Sequence, residues 1–191
     1  MPLLPAEHPH SERQTLDEIF DWYLGITESL VAHRAVVRSS LLTAAAAPEP
    51  RFVGSTEADV DQYFAEQRGE LARLTCVNLV GSAEGSIRLD FNRRVLGKLP
   101  DPLALSYQAW YATLSAGKQD RPDFDEKGIL ERLKDSKVLK DNNVVGQFRQ
   151  CLKPRHWVAH GRYWAKHASV DHLTPAQVFQ RAKDLLNALP P

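Results

Sequence analysis

The sequence has few cysteines, no long apolar run and no net charge. Its two cysteines, Cys76 and Cys151, lack the CxxC spacing of redox and metal motifs, and their apolar helical surroundings predict buried free thiols. No apolar run approaches the roughly 20 residues of a membrane span. Residues 1–5 have neither the basic start nor the apolar core of a signal peptide. These absences exclude a disulfide scaffold and predict a cytoplasmic protein that does not enter a membrane.

What the sequence does contain is helical periodicity. Alternating strand patterns are scarce, whereas apolar residues recur every three or four positions along most of the 191 residues. A chain of this length fits one domain with, at most, a small appendage. We therefore predict an all-α bundle, with residues 1–56 as an N-terminal helix and linker packed on a helical domain of residues 57–191.

Local capping patterns predict where several helices begin. Ser11 and Gln14 have the form of a capping box. The apolar stripe that follows includes Leu24 and Val31, and the helix is expected to continue into the alanine block that ends before Pro48. Further starts are predicted at three capping sites: Thr56 with Asp59, Asp101 with Pro102, and Thr174 with Gln177.

Two segments are expected to interrupt the helices. Residues 117–123 are polar, contain glycine and proline, and predict a linker. Pro154 is expected to end one helix and to begin another over residues 155–166, because proline is tolerated in a first turn but not in a helix interior.

Residues 142–170 contain no aspartate or glutamate, although the whole chain holds 24 acidic and 24 basic residues. A local excess of positive charge attracts phosphate, and histidine adds proton exchange near neutral pH. The cationic and titratable residues of this window are Arg149, Lys153, Arg155, His156, His160, Arg162, Lys166 and His167.

Arg155 and His160 are the candidates for phosphate chemistry. A first-turn position after Pro154 would place the Arg155 guanidinium beside the positive end of a helix dipole, which favours an anion. His160 follows five residues later, about 140° around an ideal helix. One helix would not bring the two side chains together, so two copies packed across a dimer are expected to form the cleft.

The histidines also allow two other interpretations. A histidine among Trp157, Val158 and Trp164 is often a packed core residue. His156 and His160 have HxxxH spacing, which suits zinc, but the glutamate of HExxH is absent and no cysteine or carboxylate lies nearby.

Glu84 occupies a position of the second helical stripe where an apolar side chain is expected, in a run that also includes Leu74 and Val80. A buried carboxylate is costly unless it is paired. Arg88, four residues later, would be a structural partner. Alternatively, Glu84 orients Arg155 or a histidine of the facing helix.

The run from Arg155 to His160 resembles the R-polar-xxx-H signature of HEPN domains, an all-helical superfamily of ribonucleases and RNA-binding modules. His156 occupies the polar position, and Ala159 to Trp164 also resemble a HEPN subgroup. The resemblance covers about residues 59–189, and Glu84 would match an acidic residue that many members carry on an earlier helix.

The resemblance implies a cofactor-free, metal-independent endoribonuclease whose homodimer combines arginines and histidines of both subunits. Arg155, His160, His156 and Glu84 would form the catalytic site, while Arg149, Lys153, Arg162 and Lys166 would bind the RNA backbone. Such proteins act in toxin–antitoxin systems and antiviral or stress defence, which implies a possible antitoxin or other regulatory protein as partner. Some members are catalytically silent and bind RNA or a protein instead.

Overall fold

The computed structural model describes residues 14–43, 49–141, 143–159 and 173–190, and these residues form an all-helical protein. No β-strand occurs within these ranges. The helices are α1 (Leu16–Leu42), α2 (Glu57–Leu96), α3 (Pro102–Ala112), α4 (Ala116–Asp120), α5 (Ile129–Asp135), α6 (Asn143–Ala159) and α7 (Pro175–Ala188), with a 3₁₀ turn at Pro50–Phe52 between α1 and α2. The predicted all-α fold class is confirmed.

Helix α2 is the centre of the bundle, because α1, α3, α6 and α7 all pack against it. Its 40 residues begin at the Thr56 cap, where Thr56 and Asp59 exchange side-chain-to-backbone hydrogen bonds. The second half of α2 carries the main core. Its fully buried residues there include Leu79, Ala83, Ile87 and Phe91.

A second, smaller core lies where α1, the 3₁₀ turn and the start of α2 meet. It consists of Val37, Phe52, Val60 and Phe64. The other end of α1 contributes Leu16 and Ile19 to the main core. Helix α1 therefore takes part in both cores and packs along α2 rather than standing apart from it.

The predicted caps at Asp101 and Thr174 are confirmed. The Asp101 carboxylate accepts hydrogen bonds from the first backbone amides of α3. Thr174 and Gln177 form a capping box before α7. The first cap was predicted wrongly, since Thr15 and Glu18 form it and α1 begins at Leu16. Helix α1 also ends earlier than predicted, at Leu42, and both Ser11 and residues 44–48 lie outside the described residues.

Three apolar residues that the periodicity assigned to the core are exposed. Leu24, Val31 and Leu74 have 43%, 48% and 45% of their surface accessible. The physical reason is that α1 and α2 face different partners along their lengths. The buried face of each helix therefore changes direction along the helix. A single continuous apolar stripe does not follow that change, so some of its residues lie at the edge of the interface and are exposed.

The two predicted interruptions are also corrected. The polar linker contains the short helix α4. Helix α6 continues through Pro154 to Ala159 instead of restarting there. A proline inside a helix costs about 3 kcal/mol. Packing of α6 against α2 and α7 offsets that cost, because Val145, Phe148 and Cys151 are buried in the main core.

One buried arginine ties together the ends of α2, α3 and α7. The Arg94 side chain is 2% exposed, and its Nε lies 2.8 Å from Asp90 Oδ2 while its Nη1 lies 2.8 Å from Asp101 Oδ1. Its Nη2 donates a hydrogen bond to the carbonyl of Pro190. Neighbouring Tyr107 is buried, and desolvation raises the pKa of its hydroxyl. These ion pairs and the hydrogen bond to Pro190 stabilise the packing of the ends of α2, α3 and α7.

Both cysteines are buried and are not joined in a disulfide, as predicted. Burial raises the pKa of the Cys76 thiol to about 12 and raises that of Cys151 as well. Within the described residues, no helix is both long and apolar enough to span a membrane.

Candidate functional site

The candidate site is built where α6 crosses α2, around the carboxylate of Glu84. Its side chain is 15% exposed, and its two oxygens contact different arginines. Oε1 accepts a hydrogen bond of 2.9 Å from Arg88 Nε, and Oε2 lies 3.3 Å from Arg155 Nη2. The structural and the functional partner proposed from the sequence are therefore both present. One carboxylate between two guanidinium groups leaves a net positive charge.

Arg88 fixes the position of this carboxylate. Its Nη1 donates a 2.9 Å hydrogen bond to the carbonyl of Pro122, and its guanidinium carbon lies 5.1 Å from the centre of the Phe124 ring. These contacts hold Arg88 against the segment that leads into α5. Arg88 thereby presents Glu84 to Arg155 from a fixed side, while Arg155 keeps 37% of its side chain exposed.

The position of Arg155 differs from the prediction. Because α6 continues through Pro154, Arg155 lies within a helix that begins at Asn143 and not in the first turn of a new one. The unpaired backbone amides of a helix, which carry the positive end of its dipole, belong to the first turn. A bound phosphate would gain nothing from backbone amides at this point, so any attraction comes from the guanidinium group.

His156 and Lys153 lie on a neighbouring face of α6, and both side chains are exposed. They line an open cleft of about 500 Å³ between α6 and the segment before α5. The proposed residues His160, Arg162 and Lys166 lie outside the described residues, as does His167. The structure thus brings together Glu84 and Arg155 and places His156 and Lys153 on an adjoining surface.

Arg149 is held by two carboxylates from an earlier segment of the chain. Its Nη2 donates a 2.6 Å hydrogen bond to Glu131 Oε2, and its Nε lies 2.8 Å from Asp125 Oδ1. The hydrogen bond from Arg149 lowers the pKa of Glu131. Burial raises the pKa of Asp125, although the charge of Arg149 opposes that change.

Residues 142–170 contain no aspartate or glutamate, but carboxylates from elsewhere in the chain lie next to the described part of this segment. Asp125, Glu126 and Glu131 come from an earlier segment of the chain and lie beside α6. The sequence did not predict that they lie close to Arg149, because they stand 18 to 24 residues before it. The one indication in the sequence was that a stretch rich in aspartate and glutamate precedes the basic residues of α6.

No cluster of three histidine, cysteine or carboxylate side chains that could hold a metal ion occurs in the described part of the chain. The HxxxH pair of His156 and His160 includes a residue, His160, that lies outside the described part of the chain.

Comparison with protein-family models, with curated proteins and with solved structures finds no match for this chain.

Proposed function

We propose that the protein is a metal-independent endoribonuclease of the HEPN type that acts on RNA in a defence or toxin–antitoxin setting. The observation that supports this most is the contact between Glu84 Oε2 and Arg155 Nη2 across two helices. It joins the acidic residue that interrupted an apolar stripe to the arginine of the R-polar-xxx-H signature.

The reaction is an attack by the RNA 2′-hydroxyl on the adjacent phosphorus. The bond from phosphorus to the 5′-oxygen breaks, and the products carry a 2′,3′-cyclic phosphate and a free 5′-hydroxyl. Arg155 stabilises the negative charge that develops on the phosphoryl oxygens. His160 accepts the 2′-hydroxyl proton or donates a proton to the leaving oxygen. Glu84 is a positioning residue, since it contacts Arg155 and not the RNA.

The active form in this proposal is a homodimer. Residues five positions apart lie about 140° apart around an ideal helix, so a second copy would supply the histidine that complements Arg155. An antitoxin or other regulatory protein would control access to this shared site.

The test uses purified protein, end-labelled RNA and excess EDTA. The native chain should cleave the RNA and leave 2′,3′-cyclic phosphate ends, and replacing the scissile ribose by 2′-deoxyribose should block the reaction. His160→Ala should reduce the rate by about 10²- to 10⁴-fold. His167→Ala is the matched control, because this histidine belongs to the same basic window but not to the motif.

Two results would count against the proposal. Retained cleavage by pure His160→Ala protein would remove the assigned general base or acid. Retardation of RNA by the native chain, without cleavage, would favour the catalytically silent RNA-binding module.

A further inference from the structure

The open cleft beside α6 combines three kinds of surface. Lys153 provides an ammonium group and His156 an imidazole, Asp125 and Glu126 provide carboxylates, and Leu152 provides an apolar wall. Its volume of about 500 Å³ falls within the range of small-molecule sites. His156 adjoins Arg155 in the sequence, so the cleft begins one residue from the proposed site of phosphate chemistry.

The two carboxylates of the cleft are not equivalent. Asp125 is held by Arg149, which contacts both its side chain and its carbonyl oxygen. Glu126 is exposed and forms no hydrogen bond or ion pair with another described residue. Both oxygens of Glu126 are therefore available to accept hydrogen bonds from a ligand, whereas Asp125 is a fixed part of the wall.

Lys153 stands among the cationic groups of the same cleft. It is exposed and forms no ion pair with a carboxylate in the part of the chain that the structure describes. A ligand that suits the cleft thus carries a negative group for Lys153, a flat apolar body for Leu152 and hydrogen-bond donors for Glu126. A nucleotide of single-stranded RNA meets all three requirements, because its unpaired base exposes a hydrogen-bonding edge.

We infer that this cleft is a base-recognition subsite for guanine in single-stranded RNA, with Glu126 reading the base and Lys153 holding the adjacent phosphate. Guanine presents two neighbouring donors, N1–H and the N2 amino group, on its pairing edge. A carboxylate accepts both at once with its two oxygens. Adenine, cytosine and uracil do not present two adjacent donor positions on that edge.

The inference deepens the proposed ribonuclease function and rests on it for the identity of the polymer. Binding can nevertheless be measured separately from cleavage. Five-nucleotide RNAs with a 2′-O-methyl group on every ribose cannot undergo 2′-hydroxyl attack. Their central base is guanine, hypoxanthine or adenine between uracils, and affinity is measured by fluorescence anisotropy at fixed salt concentration.

The native chain should bind the guanine pentamer more tightly than the adenine pentamer, by on the order of tenfold. The hypoxanthine pentamer should bind more weakly than guanine, because it lacks the N2 amino group. Glu126→Gln should abolish the preference. Asp123→Asn should retain it, because Asp123 belongs to the same segment but pairs with Lys118 outside the cleft. Lys153→Met should weaken all three complexes to a similar extent.

Equal affinity for the three pentamers, absence of binding, or a guanine preference that survives Glu126→Gln would each overturn the subsite. These results are distinguishable from failure of the proposed function. Cleavage of unmodified RNA without a guanine preference leaves the ribonuclease and removes the subsite. A Glu126-dependent preference without cleavage in EDTA leaves the subsite and removes the ribonuclease.

Discussion

Two arginine–carboxylate clusters each include residues of helix α2, and the clusters differ in charge balance and exposure. At the first, Arg94 is 2% exposed and lies between the carboxylates of Asp90 and Asp101. At the second, the carboxylate of Glu84 lies between Arg88 and Arg155, whose side chains are 29% and 37% exposed. The first cluster has an excess of negative charge and the second an excess of positive charge.

This difference distinguishes a cluster that stabilises the fold from a cluster that can bind a ligand. A buried guanidinium that is enclosed by carboxylates has no capacity left for a ligand, and its removal would leave charges without partners. A half-exposed guanidinium with one shared carboxylate can still meet a phosphate oxygen. The presence of ion pairs therefore does not indicate a functional site. The two clusters are distinguished by the sign of their excess charge and by their exposure to solvent.

The largest effect on stability is expected from Arg94→Met. The change leaves Asp90 and Asp101 without their shared cation, and breaking a buried pair costs roughly 3–5 kcal/mol. Denaturant unfolding measures this loss. Arg155→Met is the matched control, because Arg155 is 37% exposed and Glu84 keeps Arg88 as a partner, so the same replacement should cost only about 0–1 kcal/mol. Equal losses in the two variants would erase the contrast between the clusters.

Replacement of Arg155 should affect the rate of RNA cleavage far more than it affects stability. Arg155→Ala should lower the rate of RNA cleavage by about 10²- to 10³-fold while the fold is retained. Arg155→Lys should recover little, because an ammonium group lacks the planar fork that matches phosphate. Arg93→Ala, at an exposed arginine of α2, provides the control. Full activity of Arg155→Ala would take this arginine out of the mechanism.

The smallest effect is expected from Glu84→Gln, which keeps the shape of the side chain and removes its charge. Cleavage should fall by roughly tenfold, about 1.4 kcal/mol in the barrier, because Arg155 loses its ionic partner. Unfolding free energy should change by no more than about 1 kcal/mol.

A matched carboxylate on α2 makes the Glu84 experiment specific. Asp61 also lies between two guanidinium groups, with Oδ1 2.8 Å from Arg34 Nε and Oδ2 3.4 Å from Arg38 Nη1. Asp61→Asn should change stability by a similar amount and leave cleavage unchanged. If both variants lose activity in proportion to stability, Glu84 has a structural role only.

The elements that could be predicted from the sequence are those determined by neighbouring residues. The Thr56 and Thr174 caps satisfy backbone groups within three residues, so their patterns identify the starts of α2 and α7. The passage of α6 through Pro154 could not be predicted in this way. It depends on Phe148 and Cys151 packing into a core built mainly by other helices.

The same division applies to the candidate site. Glu84 stood out because a carboxylate occupied an apolar position, and its contacts with Arg88 and Arg155 follow from that placement. The pairing of Arg149 with Glu131 could not be foreseen, because α5 and α6 had to be placed side by side first. Charge counted along the sequence therefore overestimated the positive field around α6.

The way α7 is attached has a consequence for the order of assembly. Helices α1 and α2 are neighbours in the chain, whereas α7 meets partners far away, through Arg94 with Pro190 and Lys183 with Asp17. Contacts between distant residues form late, because a long loop must close before they stabilise the chain. During synthesis, the α1–α2 hairpin would already be complete when α7 emerges, and the arrival of α7 would lock both ends of the described chain together.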